Sequence, residues 1–167
     1  MSLLLLVPLL IGGVESPSGE TPPASECLTR VKEVHGAAGP WAVAGYRIGE
    51  RARKELGLPR HSFKLLVVHR APAEVQDSCV ADGLQAATGA SPGKLNLKLE
   101  VVPPDRLSTA VSDRETGRTL SFTLRPEFVR SMRDLPRDRL EGEGRRVAAL
   151  PEDAIFTMTE AKPSGPK

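Results

Sequence analysis

The sequence predicts an α+β fold in which N-terminal helices pack on a mostly antiparallel sheet. Apolar residues recur at intervals of three and four in the first half of the chain, whereas short stretches of alternating apolar and polar residues dominate the second half. Helices that precede paired strands, instead of alternating with them, are typical of α+β domains. With 167 residues, 40% of them hydrophobic, the chain can form one domain with a substantial core.

Four helices are expected from apolar spacing and from residues that begin or end helices. The clearest is amphipathic and covers residues 40–56, because Pro40 suits a first helical turn and Gly57 can end the helix. Its apolar positions recur every three or four residues, at Trp41, Ala44, Ile48, Ala52 and Leu56. Charged residues such as Arg47 and Glu50 fall between them. The other helices are expected over residues 27–34, 78–88 and 126–132.

Five strands are expected. Residues 63–68 form a short apolar run with β-branched residues, and residues 95–100 alternate leucine with polar or charged side chains. Further strands are expected over residues 106–111, 118–124 and 154–159, with a hairpin turn at residues 114–117. The charge-rich residues 133–146 are assigned no element and are expected to form solvated surface.

The chain is expected to begin with an export segment. Residues 1–14 contain an apolar run that is shorter than the roughly 20 residues of a membrane-spanning helix and is similar to the hydrophobic region of a secretory signal. A periplasmic or extracellular location is therefore predicted, with a cytoplasmic location as the alternative. Residues 15–26 are expected to be a flexible linker, residues 27–160 the folded domain and residues 161–167 a disordered tail.

Composition argues against two classes of partner. The net charge is +2 and aromatic residues make up 4% of the chain, so neither a basic surface nor a base-stacking platform for nucleic acid is expected. No run of apolar residues is long enough to predict a transmembrane helix.

Cys79 is the first candidate for chemistry. If the helix over residues 78–88 is capped by Asp77 or Ser78, Cys79 lies in its first turn, where the helix dipole favours a thiolate. With His35 it could bind zinc or a similar transition metal, with Asp82 on nearly the same helical face as a further donor. Alternatively, Cys79 is a nucleophile paired with a histidine, an ordinary half-buried cysteine, or the disulfide partner of Cys27.

The turn after this helix is similar to a phosphate-binding loop but does not satisfy that motif. Only three residues separate Gly89 from Gly93, Leu95 follows Lys94 where the motif has Ser or Thr, and a strand is expected next. The favoured interpretation is a turn between a helix and a strand, in which Lys94 could meet an anion.

Two blocks of the chain resemble a known family. The first is His35-Gly-Ala-Ala-Gly-Pro-Trp-Ala-Val-Ala-Gly-Tyr-Arg-Ile-Gly49. The second is Cys79-Val-Ala-Asp-Gly-Leu-Gln-Ala-Ala-Thr-Gly89 with Gly93-Lys-Leu-Asn-Leu97 after it. In order and spacing they resemble the signatures His-Gly-His-x-Cys-Pro-Gly and Cys-x-x-Asp-x-Ile-Gln, Thr-Gly-Cys-Thr, Gly-Lys-Gly-Asn-Leu of the FmdE family, which takes its name from formylmethanofuran dehydrogenase.

The resemblance implies an α+β domain, often dimeric, with a transition-metal site built from the first block and the later cysteine. His35 and Cys79 match that site. The second histidine of the family is Ala37 here, its motif cysteine is Gly39, and the cysteine after Thr-Gly is Ala90, so most metal donors are missing. Many members also carry a four-cysteine zinc ribbon, which is not expected here because no cysteine follows Cys79.

The predicted function is therefore a non-catalytic, accessory FmdE-like binding domain, expected to be a homodimer. His35 and Cys79 are the metal candidates, for a zinc-like ion held weakly, and the remaining pocket residues are expected near them: Asp82, Gln85, Thr88, Gly89, Gly93, Lys94 and Asn96. Formylmethanofuran dehydrogenase activity is not expected, because the chain lacks the cysteines for iron–sulfur clusters. The alternatives are a structural or protein-interaction domain whose metal site has decayed, and a thiol-dependent enzyme using Cys79.

Overall fold

The computed structural model of the protein describes residues 24–161. The described helices are α1 (Ala24–His35), α2 (Pro40–Leu56), α3 (Val75–Thr88), α4 (Pro126–Met132), α5 (Leu140–Ala149) and α6 (Glu152–Ile155). The strands are β1 (Leu65–Ala71), β2 (Leu97–Val101), β3 (Ser108–Asp113), β4 (Thr119–Leu124) and β5 (Phe156–Ala161). The expected export segment, most of the expected linker and all but the first residue of the expected tail lie outside the described residues.

The strands form one mixed sheet in the order β2-β1-β3-β4-β5. β1 pairs with β2 in parallel, and the other three pairings are antiparallel. The turn between β3 and β4 is held by Asp113, whose carboxylate accepts hydrogen bonds from the Glu115 N–H (2.9 Å) and the Thr116 hydroxyl (2.8 Å). Gly117 supplies the left-handed residue of this turn, with φ 73°. The mostly antiparallel α+β fold predicted from the sequence is confirmed.

α2 is the centre of the helical layer and is buried on nearly all sides. α3 crosses it so closely that Gly45 of α2 faces the carbonyl of Val80 and Gly83 of α3 faces the carbonyl of Ala42, with no space for a Cβ atom at either glycine. Close backbone approach of this kind requires glycine. The helical layer and one face of the sheet enclose a single cluster of buried apolar side chains.

Burial of the polar face of α2 is a correction to the amphipathic pattern. Arg47 is 5% exposed and Glu50 is 7% exposed, although both fall between the apolar positions. Arg47 is buried because α5, which lies largely in the charge-rich stretch where no element was expected, packs against α2. Glu50 is paired with Arg53, whose Nη2 lies 3.1 Å from its carboxylate.

Several element boundaries also differ from the sequence-based ones. α1 begins at Ala24, inside the stretch expected to be a linker, and β2 begins at Leu97 instead of residue 95. The start of α3 matters most, because the helix begins at Val75 with Glu74 as its N-cap residue. Asp77 therefore lies within the helix and is buried, and it is not the cap. None of the helices in the described part of the chain combines the length and apolar character that crossing a bilayer requires.

Candidate ligand-binding cavity

A cavity of about 700 Å³ lies where the loop between α1 and α2 meets α3 and the chain after α4. Its apolar lining includes Trp41 from α2 and Met132 from the end of α4, together with Leu135 and Leu140. The volume is in the range of pockets that hold small organic molecules, and the lining is of the mostly apolar kind that such pockets have.

The rim of the cavity is the short loop that joins α1 to α2. Gly36 ends α1 in a left-handed conformation with φ 86°, and its N–H donates to the Lys32 carbonyl at 2.9 Å. Gly39 precedes α2 in extended conformation, followed by Pro40 at the first helical position. Both Ala37 and Gly39 line the cavity. The two positions where the related family has metal donors are thus occupied here by residues without donor side chains.

His35 lines the cavity and is held by Asp82 of α3. The Nδ1 atom of His35 lies 2.7 Å from the Oδ2 atom of Asp82, and the side chains are 25% and 45% exposed. Because a carboxylate only accepts hydrogen bonds, Nδ1 carries the proton and Nε2 is the ring nitrogen left to bind a ligand. A carboxylate behind a histidine orients the ring and raises its basicity, as at many metal sites.

Cys79 lines the same cavity, but its thiol is not activated. Burial raises the pKa of Cys79, and the negative charge of Asp82 adds to the shift. The expected first-turn thiolate is therefore wrong: α3 begins at Val75, so Cys79 lies one turn further into the helix, where the terminal N–H groups no longer act on it. Both cysteines are free thiols, and burial raises the pKa of Cys27 to about 12. The expected alternative of a disulfide between them is not formed.

Gln76 is a cavity residue that the sequence motifs did not single out. It lies one helical turn before Cys79 and lines the cavity beside it. Its Oε1 atom is buried and has no hydrogen-bond partner among residues 24–161. A buried polar atom without a partner is unfavourable by about 1–3 kcal/mol, and a ligand that donates a hydrogen bond would remove this penalty. The spacing of three residues from Cys79 was the available sequence signal.

The remaining predicted pocket residues lie at the other end of α3. Cys79 and Gly89 are ten residues apart, a separation of about 15 Å along a helix. Asp82 reaches the cavity region through its contact with His35, but the cavity lining contains none of the following: Gln85, Thr88, Gly89, Gly93, Lys94 and Asn96. The structure thus separates the predicted site into a cavity part and a turn part.

The turn part has hydrogen bonds that explain its residue types. The Thr88 hydroxyl donates to the Leu84 carbonyl at 2.7 Å and accepts from the Ala90 N–H at 3.1 Å. The buried Asn96 accepts from the Ser91 N–H at 3.0 Å, and Lys94 donates to the Gly89 carbonyl at 2.8 Å. These contacts stabilise the connection from α3 to β2, in agreement with the interpretation of these residues as a turn between a helix and a strand.

The donor set does not fit a closed zinc site. Among residues 24–161 no three histidine, cysteine, aspartate or glutamate side chains are grouped so that they could hold one metal ion. Structural zinc sites use four protein ligands and catalytic ones three. His35 and Cys79 are two, and the Asp82 carboxylate is already engaged with the His35 ring.

Comparison with known proteins identifies the family. Residues 34–164 match the family model FmdE, described as "Molybdenum formylmethanofuran dehydrogenase operon". This match covers most of the chain, and the protein belongs to the FmdE family. No curated protein matches it.

A solved structure shares the fold. It is an FmdE-like protein of tungsten formylmethanofuran dehydrogenase from Syntrophus aciditrophicus, with a TM-score of 0.53 and 17% sequence identity over 83% of this chain and 72% of that one. The resemblance inferred from the two sequence blocks is confirmed at the level of family and fold.

Proposed function

We propose that this protein is a non-catalytic FmdE-family domain that binds a small, largely apolar ligand in the cavity beside His35 and Cys79. The observation that carries the proposal is the convergence of two distant sequence blocks on that cavity. His35, Ala37 and Gly39 come from the first block and Cys79 from the second, and all four line it. The substitution of donor residues by Ala37 and Gly39 leaves space and an apolar surface in place of a metal site.

The polar groups of the cavity suggest what the ligand presents. His35, with Nδ1 engaged by Asp82, has Nε2 available as an acceptor, and Gln76 has an acceptor atom without a partner among the described residues. Two acceptors in an apolar cavity favour a ligand with an apolar body and a hydrogen-bond donor group such as an amine, amide or hydroxyl. The buried Oε1 of Gln76 would then gain the hydrogen bond that it lacks.

Metal binding by this cavity is proposed to be weak at most. A zinc-like ion would have His35 and Cys79 as protein donors and would depend on water or on the ligand for the rest. The raised pKa of Cys79 also makes it harder to form the thiolate that a metal needs.

The ligand proposal can be tested by filling the cavity. A Cβ atom on Gly39 would meet no heavy atom within 4 Å, and its φ of −74° suits any residue, so Gly39→Leu would occupy the cavity without strain at the backbone. We expect this variant to lose the fluorescence enhancement that wild-type protein gives with the apolar dye 1-anilinonaphthalene-8-sulfonate. The matched control is Gly142→Leu, because Gly142 also has open space around it and does not line the cavity. Equal dye binding by wild type and Gly39→Leu would contradict the proposal.

The residual metal affinity has its own test. Metal content would be measured by mass spectrometry on untagged wild-type protein and on Cys79→Ala. Substoichiometric metal in both proteins is expected, whereas near-stoichiometric metal that disappears in Cys79→Ala would show that the reduced His35–Cys79 pair still forms a working site.

A structural or protein-interaction role is the second candidate, and the incomplete donor set among the described residues favours it. It predicts that Cys79→Ala and His35→Ala change stability alone, with neither dye nor metal bound by wild type. A thiol-dependent enzyme is disfavoured by the raised pKa of Cys79. Rapid alkylation of Cys79 near neutral pH, measured in a Cys27→Ala background, would reverse that judgement.

Export through residues 1–14 is also part of this proposal, supported by their apolar composition. Mass determination of the protein recovered from its native host tests it: export predicts a mature chain shortened near this segment.

A further inference from the structure

The edge strand β2 carries apolar side chains that the rest of the domain leaves exposed. Leu97 is 8% exposed, but Leu99 and Val101, on the same face of the strand, are 51% and 72% exposed. Among residues 24–161 no strand pairs with the outer edge of β2, since the sheet order places β1 on its inner side. An apolar edge with unpaired backbone groups is a surface to which another strand can add.

The register with β1 shows which backbone groups of β2 are free to bind. The Val67 N–H donates to the Asn96 carbonyl at 2.8 Å, and the Val102 N–H donates to the Ala71 carbonyl at 3.0 Å. In a parallel pair the residues that bond to the neighbour alternate along the strand, so the even-numbered residues of β2 bond to β1. The N–H and C=O groups of Leu97, Leu99 and Val101 therefore point outward.

These outward groups are arranged for pairing with themselves. If a second copy of β2 lies antiparallel with Leu99 on the two-fold axis, Leu99 faces Leu99 and Leu97 faces Val101 of the other copy. Each of these facing pairs would exchange both of its N–H···O=C hydrogen bonds, because the outward-pointing residues meet one another. A shift by one residue would place outward groups opposite inward ones and is excluded.

The charges on the other face agree with the same register. Lys98 then lies directly opposite Glu100 of the second copy, and Glu100 opposite its Lys98, so two cross-strand ion pairs form by symmetry. Glu100 already contacts Arg70 of β1 at 2.9 Å, which adds positive charge beside it. Apolar side chains on one face, complementary charges on the other and backbone groups at the edge all fit a second copy of this chain.

We propose that two copies of the protein associate through antiparallel pairing of β2 about Leu99, which joins their sheets into one. The opposite edge of the sheet lacks these features: β5 has no exposed large apolar residue. Strand pairing alone buries less surface than a standard protein interface, so the dimer is expected to form in a concentration-dependent way. This proposal is independent of the ligand in the cavity.

Charge reversal tests both the surface and the register. Lys98→Glu places like charges opposite one another at both symmetric positions, and Glu100→Lys does the same with the opposite sign. We expect each variant to dimerise about tenfold more weakly than wild type in sedimentation-equilibrium experiments. A mixture of the two variants should recover association, because every facing pair is then of opposite charge.

Two further variants complete the experiment. Leu99→Lys places two positive charges at the two-fold axis and should abolish the dimer, whereas Thr159→Glu, on the exposed edge strand β5, should leave it unchanged. Wild-type protein that stays monomeric at high concentration would overturn the proposal. A dimer that tolerates Leu99→Lys and both charge reversals would also overturn it, since another surface would then be responsible.

Discussion

Arg133 donates two hydrogen bonds to the fully buried carboxylate of Asp77, at 2.8 and 3.1 Å, and so ties the chain after α4 to the start of α3. The guanidinium also stacks over the Trp41 ring, with its central carbon 5.0 Å from the ring centroid. Trp41 in turn donates from its indole nitrogen to the Met132 carbonyl at 3.1 Å. These contacts hold Trp41 and Met132, two walls of the ligand cavity, in place.

Removing Arg133 should therefore destabilise the protein. Arg133→Ala leaves the Asp77 carboxylate buried without its partner, and we expect the free energy of unfolding to fall by about 2–3 kcal/mol, the lower part of the range for buried pairs because Arg133 is one-third exposed. Urea denaturation measures this. The matched control is Arg130→Ala, whose ion pair with Glu127 is about 70% exposed on both sides, and which should change stability by less than about 0.5 kcal/mol. Equal effects of the two substitutions would contradict this account.

The crossing of α2 and α3 should not tolerate a methyl group at Gly83. A Cβ atom there would overlap the Ala42 carbonyl, and the backbone of a buried helix cannot move aside cheaply. Gly83→Ala is expected to lower the free energy of unfolding by about 3 kcal/mol. In contrast, Gly142→Ala adds its methyl group in open space on α5 and should stabilise the protein by about 0.5 kcal/mol. Thermal unfolding of the two variants would show shifts of opposite sign if this packing is correct.

His69 should make stability depend on pH. Its Nε2–H donates to the Asp77 carbonyl at 3.0 Å and its Nδ1 lies 2.9 Å from the Thr109 hydroxyl, so one neutral tautomer satisfies both ring nitrogens. Burial lowers the pKa of His69 in the folded state. Below the unfolded value of about 6.5, the unfolded chain binds a proton that the native state refuses. Stability is therefore expected to fall as the pH decreases below that value.

The contribution of this histidine can be isolated by substitution. In the window between the unfolded pKa and the lower folded one, His69 contributes up to about 1.4 kcal/mol of destabilisation per pH unit. His69→Gln should be less stable at neutral pH but should show a shallower decline between about pH 7 and about pH 5.5, measured by urea unfolding at several pH values. Parallel pH profiles for the two proteins would show that His69 is not the group responsible.

The family's metal site should be recoverable by restoring its missing donors. Ala37 is exposed and Gly39 has open space at its Cβ position, and both line the cavity with His35 and Cys79. Ala37→His combined with Gly39→Cys supplies four donors from imidazole and thiolate, the set that zinc prefers. Competition with a chelating dye should show zinc affinity more than about tenfold above wild type. Adding Cys79→Ala to the double variant should reverse the gain; affinity unchanged by the double substitution would argue against this geometry.

The fold was predictable from the sequence where local pattern and tertiary packing agree. The spacing along α2 and the punctuation by Pro40 and Gly57 match the observed helix from its first residue to its last. The helix over residues 140–149 was missed because its sequence is rich in charge and contains two glycines, and its position depends on contacts with α2, about a hundred residues away. Tertiary contacts of that range leave no periodic signal in a short window.

The site was predictable in part. The two sequence blocks placed His35 and Cys79 together, and the structure brings both to one cavity. The turn residues from Gly89 to Asn96 were assigned to the same pocket because they follow Cys79 in the second block, but the length of α3 carries them away from it. The ionisation of Cys79 was misjudged because it depends on where the helix begins, and boundaries are the least certain part of a sequence-based assignment.

Arg47 has a consequence for how the chain acquires its structure. From the middle of α2, its Nη1 donates to the carbonyls of Val147 (3.3 Å), Ala148 (2.9 Å) and Leu150 (3.0 Å), which end α5. Until those carbonyls arrive, the nascent polypeptide holds a cation that cannot be buried without its acceptors. The helical layer is thus completed after residue 150 has left the ribosome, and folding of this domain waits for nearly the whole described chain to be synthesised.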